Sequence, residues 1–166
     1  MTVWIGLDPG SISGAVGALD ANGDYLDSFM IEHKDKNILP LVFKNMILRC
    51  IDPKEGAEIC MEAVHSMPGQ GVSSSFQFGR AVGVISAVAE LTNYPFHLVS
   101  PQKWKKYFHL TSDKNESLDL ARSFWPEAKL IRKKDGNRAE ALLIALYWRE
   151  QIHGKQDKPK QNPNGL

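Results

Sequence analysis

At 166 residues, with 43% hydrophobic and 23% charged residues, the chain has the size and composition of one globular domain with a core of its own. A net charge of +1 does not announce a uniformly basic nucleic-acid binder, and no apolar run is long enough to span a membrane, so a cytoplasmic protein without a membrane partner is expected. Cys50 and Cys60 lack the CxxC spacing of a metal pair and are expected to be inert thiols of a reducing compartment.

In chain order, Val3, Ile5 and Leu7 alternate with Trp4 and Gly6, which predicts a first strand over about residues 2–8. Asp8 stands where that strand ends, before the turn signal Pro9-Gly10. An aspartate there has two readings, a cap on the turn or an acidic group of a metal or phosphate site. A second strand is expected over 14–20, and the Asn-Gly pair of "DANGD" predicts a tight hairpin into a third, "YLDSFMIEH". A helix is expected from Asn37 to Ile51, with Leu41, Met46 and Leu48 among its apolar positions and Pro40 in its first turn. "GAEICMEAV" reads as a fourth strand, with Ile59 and Met61 on one face and Cys60 and Glu62 on the other.

The loop "HSMPGQGVSSS" then leads into the helical stretch "FQFGRAVGVISAVAELTN", with Ser73 to Ser75 as candidate caps. Gly79 and Gly83 share a face of that helix, for close packing against the sheet or against another subunit. "PFHLVS" is a fifth strand, followed by short helices over "PQKWKKYF" and "NESLDLARSF" and a last helix over about 137–153. The segment 154–166 has no apolar anchor and is expected to be a disordered polar tail to a single domain over 1–153. Three strands, helix, strand, helix, strand, helices is the order of an α/β ribonuclease H-like fold, a mixed five-stranded sheet with helices on both faces.

Four acidic residues fall at element ends: Asp8, Glu62, Asp135 and Glu140. Neighbouring first and fourth strands would bring Asp8 and Glu62 to one point, and a helix start facing that edge would add a third carboxylate. Hard oxygen donors of this kind suit Mg²⁺, and two ions held about 4 Å apart can activate water and stabilise the leaving oxygen of a phosphodiester. Each residue also has a structural reading: "NRAE" is an acceptable capping box of Asn137 with Glu140, and Asp135 is well placed at a positive helix end. His65 and His109 read as lone surface histidines. From Ser100 to Lys134, nine lysines and arginines face four acids, and nine minus four leaves +5. Within that stretch "KWKKYF" makes Lys103, Lys105 and Lys106 candidate phosphate contacts, with aromatic rings packed inward, and Lys133 and Lys134 precede Asp135.

"IGLDPGSISGAVGAL", "MEAVHSMPGQGVSSSFQFGRAVG" and "DGNRAEALLIALY" together resemble the RuvC family of Holliday junction resolvases, especially its bacteriophage-type members, over residues 3–149. The resemblance implies a divalent-metal-dependent endonuclease (two Mg²⁺, with Mn²⁺ able to substitute) that resolves four-way junctions or related branched DNA as a homodimer. It places Asp8, Glu62 and Glu140 as metal ligands and catalytic groups. Many members carry Asp or His where this chain has Asn137, so the fourth ligand is either Asn137 or Asp135. Asp135 would have to act from before the helix, because five helical residues turn a side chain about 140° away. The resemblance also implies DNA contacts from Met67, Gln70 and Ser73 in the loop after Glu62. Three other readings are a relative of the YqgF group acting on RNA, a non-catalytic branched-DNA module, and an actin-like or sugar-kinase phosphate motif at "GLDPGSISG". The last needs two nucleotide-clasping domains, more than 166 residues can house.

Overall fold

The computed structural model describes residues 1–66 and 68–156, with side chains through residue 153. Its main sheet has the order β3-β2-β1-β6-β7, formed by β1 (Thr2–Pro9), β2 (Gly14–Leu19), β3 (Tyr25–Met30), β6 (Gly56–Glu62) and β7 (Phe96–Val99). The first three are antiparallel neighbours, and β1, β6 and β7 run parallel, so the sheet is mixed as predicted. A two-stranded hairpin, β4 (His33–Lys34) with β5 (Asn37–Ile38), precedes α1 (Pro40–Arg49). The remaining helices are α2 (Val72–Glu90), α3 (Pro101–Tyr107), α4 (Lys114–Phe124) and α5 (Gly136–Gln156).

The period-two pattern of β1 divides the core in two. Val3, Ile5 and Leu7 join Phe43, Ile47 and Ile85 of α1 and α2 on one face, whereas Trp4 joins Cys60, Trp104, Leu118 and Leu142 on the face covered by α3, α4 and α5. Gly6 and Gly17 are cross-strand partners at the centre of the second face. A Cβ on Gly6 would stand 1.9 Å from the carbonyl oxygen of Ala141, and one on Gly17 would stand 2.5 Å from the amide nitrogen of Leu142. The two glycines therefore let the α5 backbone rest directly on the sheet.

Several expectations are corrected. The Asn22-Gly23 pair does not form a two-residue turn; residues 20–24 make a longer loop in which Asp20 accepts from the amides of Asn22 and Asp24. Residues 33–38, of which the sequence reading gave 33 to the third strand and 37–38 to the first helix, form the β4–β5 hairpin, with Asp35 and Lys36 at positive φ. Consequently α1 begins only at Pro40 and buries Phe43 and Ile47, while Leu41 is exposed. The second predicted helix starts four residues early, so Ser73 lies in the first turn of α2 and Gly71 occupies the cap position. Gly79 and Gly83 do not touch the sheet, since open space faces both. The last helix runs to Gln156, three residues into the expected tail, and 157–166 lie outside the described residues. Both cysteines are free, Cys60 buried and Cys50 half-buried, and burial pushes their thiols up to about 12 and about 11. No helix among the described residues is long and apolar enough to cross a membrane.

Gly6→Ala is expected to destabilise the protein by about 3 kcal/mol or more, because its methyl group meets backbone that no side-chain rotation can move aside. Urea unfolding followed by circular dichroism measures it.

Candidate active site

Parallel pairing of β1 with β6 sets Leu7 beside Met61, and the next residues along the two strands are Asp8 and Glu62. Alternation turns both toward the α3–α5 face, where Trp4 and Cys60 also point. With α5 seated on Gly6 and Gly17, its second turn brings Glu140 to the same end of the sheet. Asp8 and Glu140 are almost entirely withdrawn from solvent, at 5% and 2% exposure. The three carboxylates line one cleft of about 1040 Å³, together with Lys105, Lys106, Lys114, His65, His109 and Gln70.

Two ammonium groups neutralise the carboxylates. Lys114 Nζ lies 2.9 Å from Glu140 and 3.9 Å from Asp8, and it also donates to the side-chain oxygen of Asn137. Lys105 Nζ lies 3.2 Å from the other oxygen of Glu140. Ser117, buried on α4, donates to Glu140 at 3.3 Å, and the Trp104 indole donates to Glu62 at 2.7 Å. Three negative and two positive side chains leave a formal charge of −1 at the centre of the cleft.

The electrostatics follow from burial. Desolvation raises the Asp8 carboxyl well above its ordinary range, with Glu140 and Glu62 adding to the rise and Lys114 and Lys105 opposing it. Desolvation also raises Glu62, against the Trp104 hydrogen bond, with Glu140 pushing the same way. Burial would lower Lys114, but Asp8 and Glu140 outweigh it and hold its ammonium above the usual range. Buried carboxylates that demand positive charge are the donor chemistry of a hard divalent cation. Among the described residues, however, no three His, Cys, Asp or Glu side chains stand in a ready-made metal cage. In this arrangement Lys114 holds the positive charge between the carboxylates of Asp8 and Glu140.

Of the four acidic residues read from the sequence, Asp8, Glu62 and Glu140 come together. Asp135 stands apart: it accepts from the Arg132 amide at 2.8 Å, closes a capping box, and pairs with the guanidinium groups of Arg132 at 3.0 Å and Arg138 at 3.5 Å. Those partners hold its carboxyl below the ordinary range despite burial. Asp135 is not among the described residues lining the cleft, whereas Asn137, already inside α5, shares Lys114 with the carboxylates. The expected Asn137–Glu140 capping box is therefore replaced by Arg132–Asp135.

The candidate DNA contacts divide similarly. Lys105, Lys106 and Gln70 line the cleft; Lys103, Ser73, Lys133 and Lys134 are exposed outside it; Met67 lies outside the described residues. Trp104 packs inward as expected, while Tyr107 remains 44% exposed. Sequence reasoning missed the role of Lys114 and Ser117 and the indole contact of Trp104. The available signal was spacing, since Lys114 heads the stripe Ser117, Leu118, Ala121 that α4 buries.

The sequence matches no protein-family model, and no curated protein is similar to it at the sequence level. Solved structures do match. The RuvC structure from T. thermophilus in complex with a Holliday junction substrate aligns with a TM-score of 0.68 over 92% of this chain and 96% of that one, at 17% identity. A second Thermus thermophilus RuvC structure aligns with a TM-score of 0.62 over the same shares, at 18% identity. The fold is thus ribonuclease H-like, of the RuvC-like form.

Because the folded state raises the Asp8 and Glu62 carboxyls, their ionisation opposes folding: the penalty is absent below the ordinary carboxylate range and grows as pH rises through the raised values. In metal-free buffer, Asp8→Asn is therefore expected to stabilise the protein at pH 7, with the gain vanishing toward pH 4. Thermal unfolding of both proteins across that range measures it.

Proposed function

We propose that the protein is a metal-dependent, structure-selective DNA endonuclease that resolves four-way junctions or related branched DNA. The observation that carries this reading is the convergence of Asp8, Glu62 and Glu140, from β1, β6 and α5, on one cleft with Lys105 and Lys114 among them. The RuvC-like fold and the sequence blocks at all three carboxylates support it. The fourth carboxylate of the sequence reading, Asp135, enters as a positioning group that holds the start of α5 through Arg132 and Arg138.

Asp8, Glu62 and Glu140 would hold two Mg²⁺, or Mn²⁺ in their place, which when bound supply an activated water and neutralise the leaving oxygen. Ser117 and Trp104 orient two of the three carboxylates, so ligand geometry is set before any ion arrives. The Lys114 side chain, 56% exposed, is free to turn from the carboxylates to the scissile phosphate once cations replace it. Lys105 and Lys106 meet the backbone inside the cleft, and Lys103, Lys133 and Lys134 extend the positive track beyond it. Water attacks phosphorus in line, the bond to the 3′-oxygen breaks, and the products are a 3′-hydroxyl and a 5′-phosphate. Met67, Gln70 and Ser73 meet the DNA backbone or wedge into the branch point, as the family resemblance implies. The protein acts in the cytoplasm, that of the host if it is phage-encoded, as the resemblance of its motifs to bacteriophage-type resolvases implies.

Symmetric resolution needs two such clefts. The exposed face of α2, with Val72 at 89% and Phe76 at 71% exposure beside the open Gly79 and Gly83, is the surface assigned to the homodimer. Light scattering of the wild type is expected to give twice the chain mass, and Gly83→Glu half of that.

Asp8→Asn, Glu62→Gln and Glu140→Gln are each expected to reduce Mg²⁺-dependent cleavage of a labelled four-way junction by about a hundredfold or more, while gel-shift affinity for the junction is kept. EDTA should abolish wild-type cleavage, and linear duplex should be cut poorly. Cleavage of structured RNA in preference to the junction would favour the RNA-processing reading instead.

A further inference from the structure

We infer that His109, held in a left-handed turn that disfavours it, grips a backbone phosphate of the DNA strand lying in the cleft. The inference rests on the nuclease reading above and adds a substrate contact from a residue whose sequence context marks only a surface histidine.

The end of α3 dictates the conformation of residue 109. The His109 amide donates to the Lys106 carbonyl at 3.2 Å, and the Leu110 amide donates to the Lys105 carbonyl at 2.9 Å. Those two bonds close a Schellman motif, which requires a left-handed residue just after the helix. His109 meets the requirement at φ 57°. Glycine fits there without a steric penalty, whereas the Cβ of a histidine crowds its own backbone. The turn after α2 reaches φ 63° with Asn93, a residue type that tolerates this region. Leu110, the next residue along, packs against the core and anchors the turn.

Packing does not account for the histidine. Its side chain is exposed and makes no hydrogen bond, ion pair or ring contact with another described residue. It stands instead in the wall of the cleft, with Lys105, Lys106 and Lys114. Non-glycine residues in sparsely populated backbone regions cluster at active sites and ligand clamps, where the side chain serves the ligand. An imidazole offers an N–H donor in either protonation state, and donors set among lysines match the oxygens of a nucleic-acid backbone. A rigid turn that presents a donor with no partner in the fold is suited to hold one phosphate in place.

The test compares wild type, His109→Gly and His109→Ala in thermal unfolding and in binding to fluorescent four-way junctions, at one salt concentration and with cleavage blocked by EDTA. His109→Gly is expected to raise Tm by about 2 °C or more, because the turn is relieved. The same variant is expected to bind the junction about fivefold more weakly. His109→Ala, which keeps a Cβ, should bind as weakly with no gain in Tm. The loss should be equal for junctions of different sequence, as for any phosphate contact. A glycine variant that binds as tightly as wild type overturns the inference. A lower Tm for that variant also overturns it, since the ring would then serve the fold, and a loss confined to one junction sequence overturns the phosphate assignment. Junction cutting by wild type together with undiminished binding by His109→Gly would sink the role of His109 and leave the nuclease reading standing. Wild type that neither binds nor cuts a junction would sink both.

Discussion

The site is organised by three carboxylates that line one cleft, two of them almost entirely withdrawn from solvent, and repel one another. Asp8, Glu62 and Glu140 are held close by elements that cannot yield: a central strand, its parallel neighbour, and a helix pressed on the sheet. The cost of burying them is offset by Lys105 and Lys114, whose ammonium groups stand within ion-pair distance. The fold spends stability to assemble a concentrated negative centre, which is the expected signature of a place built to receive positive charge.

The two halves of that arrangement differ in rigidity. The carboxylates and their hydrogen-bond donors, Ser117 and Trp104, are embedded in packed elements. Lys114 is attached by a long, half-exposed side chain at the head of α4, with Asp113 capping the helix just before it. The acidic frame is thus held by packed elements, whereas its internal counter-ion reaches it on a half-exposed side chain.

Much of this was legible in the sequence because it rests on short-range pattern. Asp8 and Glu62 were legible as acids at strand ends, and their convergence was read only on the condition that the first and fourth strands are neighbours, which the pairing of β1 with β6 fulfils. Glu140 was legible as an acid entering a long apolar helix. What was missed were one local arrangement and the contacts made across the fold. Asp135 and Asn137 are two residues apart, and only the arginines at 132 and 138 decide that the first is drawn into a structural ion pair. The Trp104–Glu62 bond joins residues 42 apart in the chain, and nothing local marks that tryptophan from others that merely fill a core. The β4–β5 hairpin was missed because two-residue strands carry no periodicity, and its turn places Asp35 and Lys36, neither a glycine, at positive φ.

Backbone contact between α5 and the sheet has a consequence for how this architecture can vary. Where Gly6 and Gly17 meet Ala141 and Leu142, no layer of side chains can repack to absorb an error, so the spacing between Glu140 and Asp8 inherits the tolerance of covalent geometry rather than that of rotamers. Change is more easily accommodated away from this contact, while the junction of strand and helix stays a fixed hinge pin.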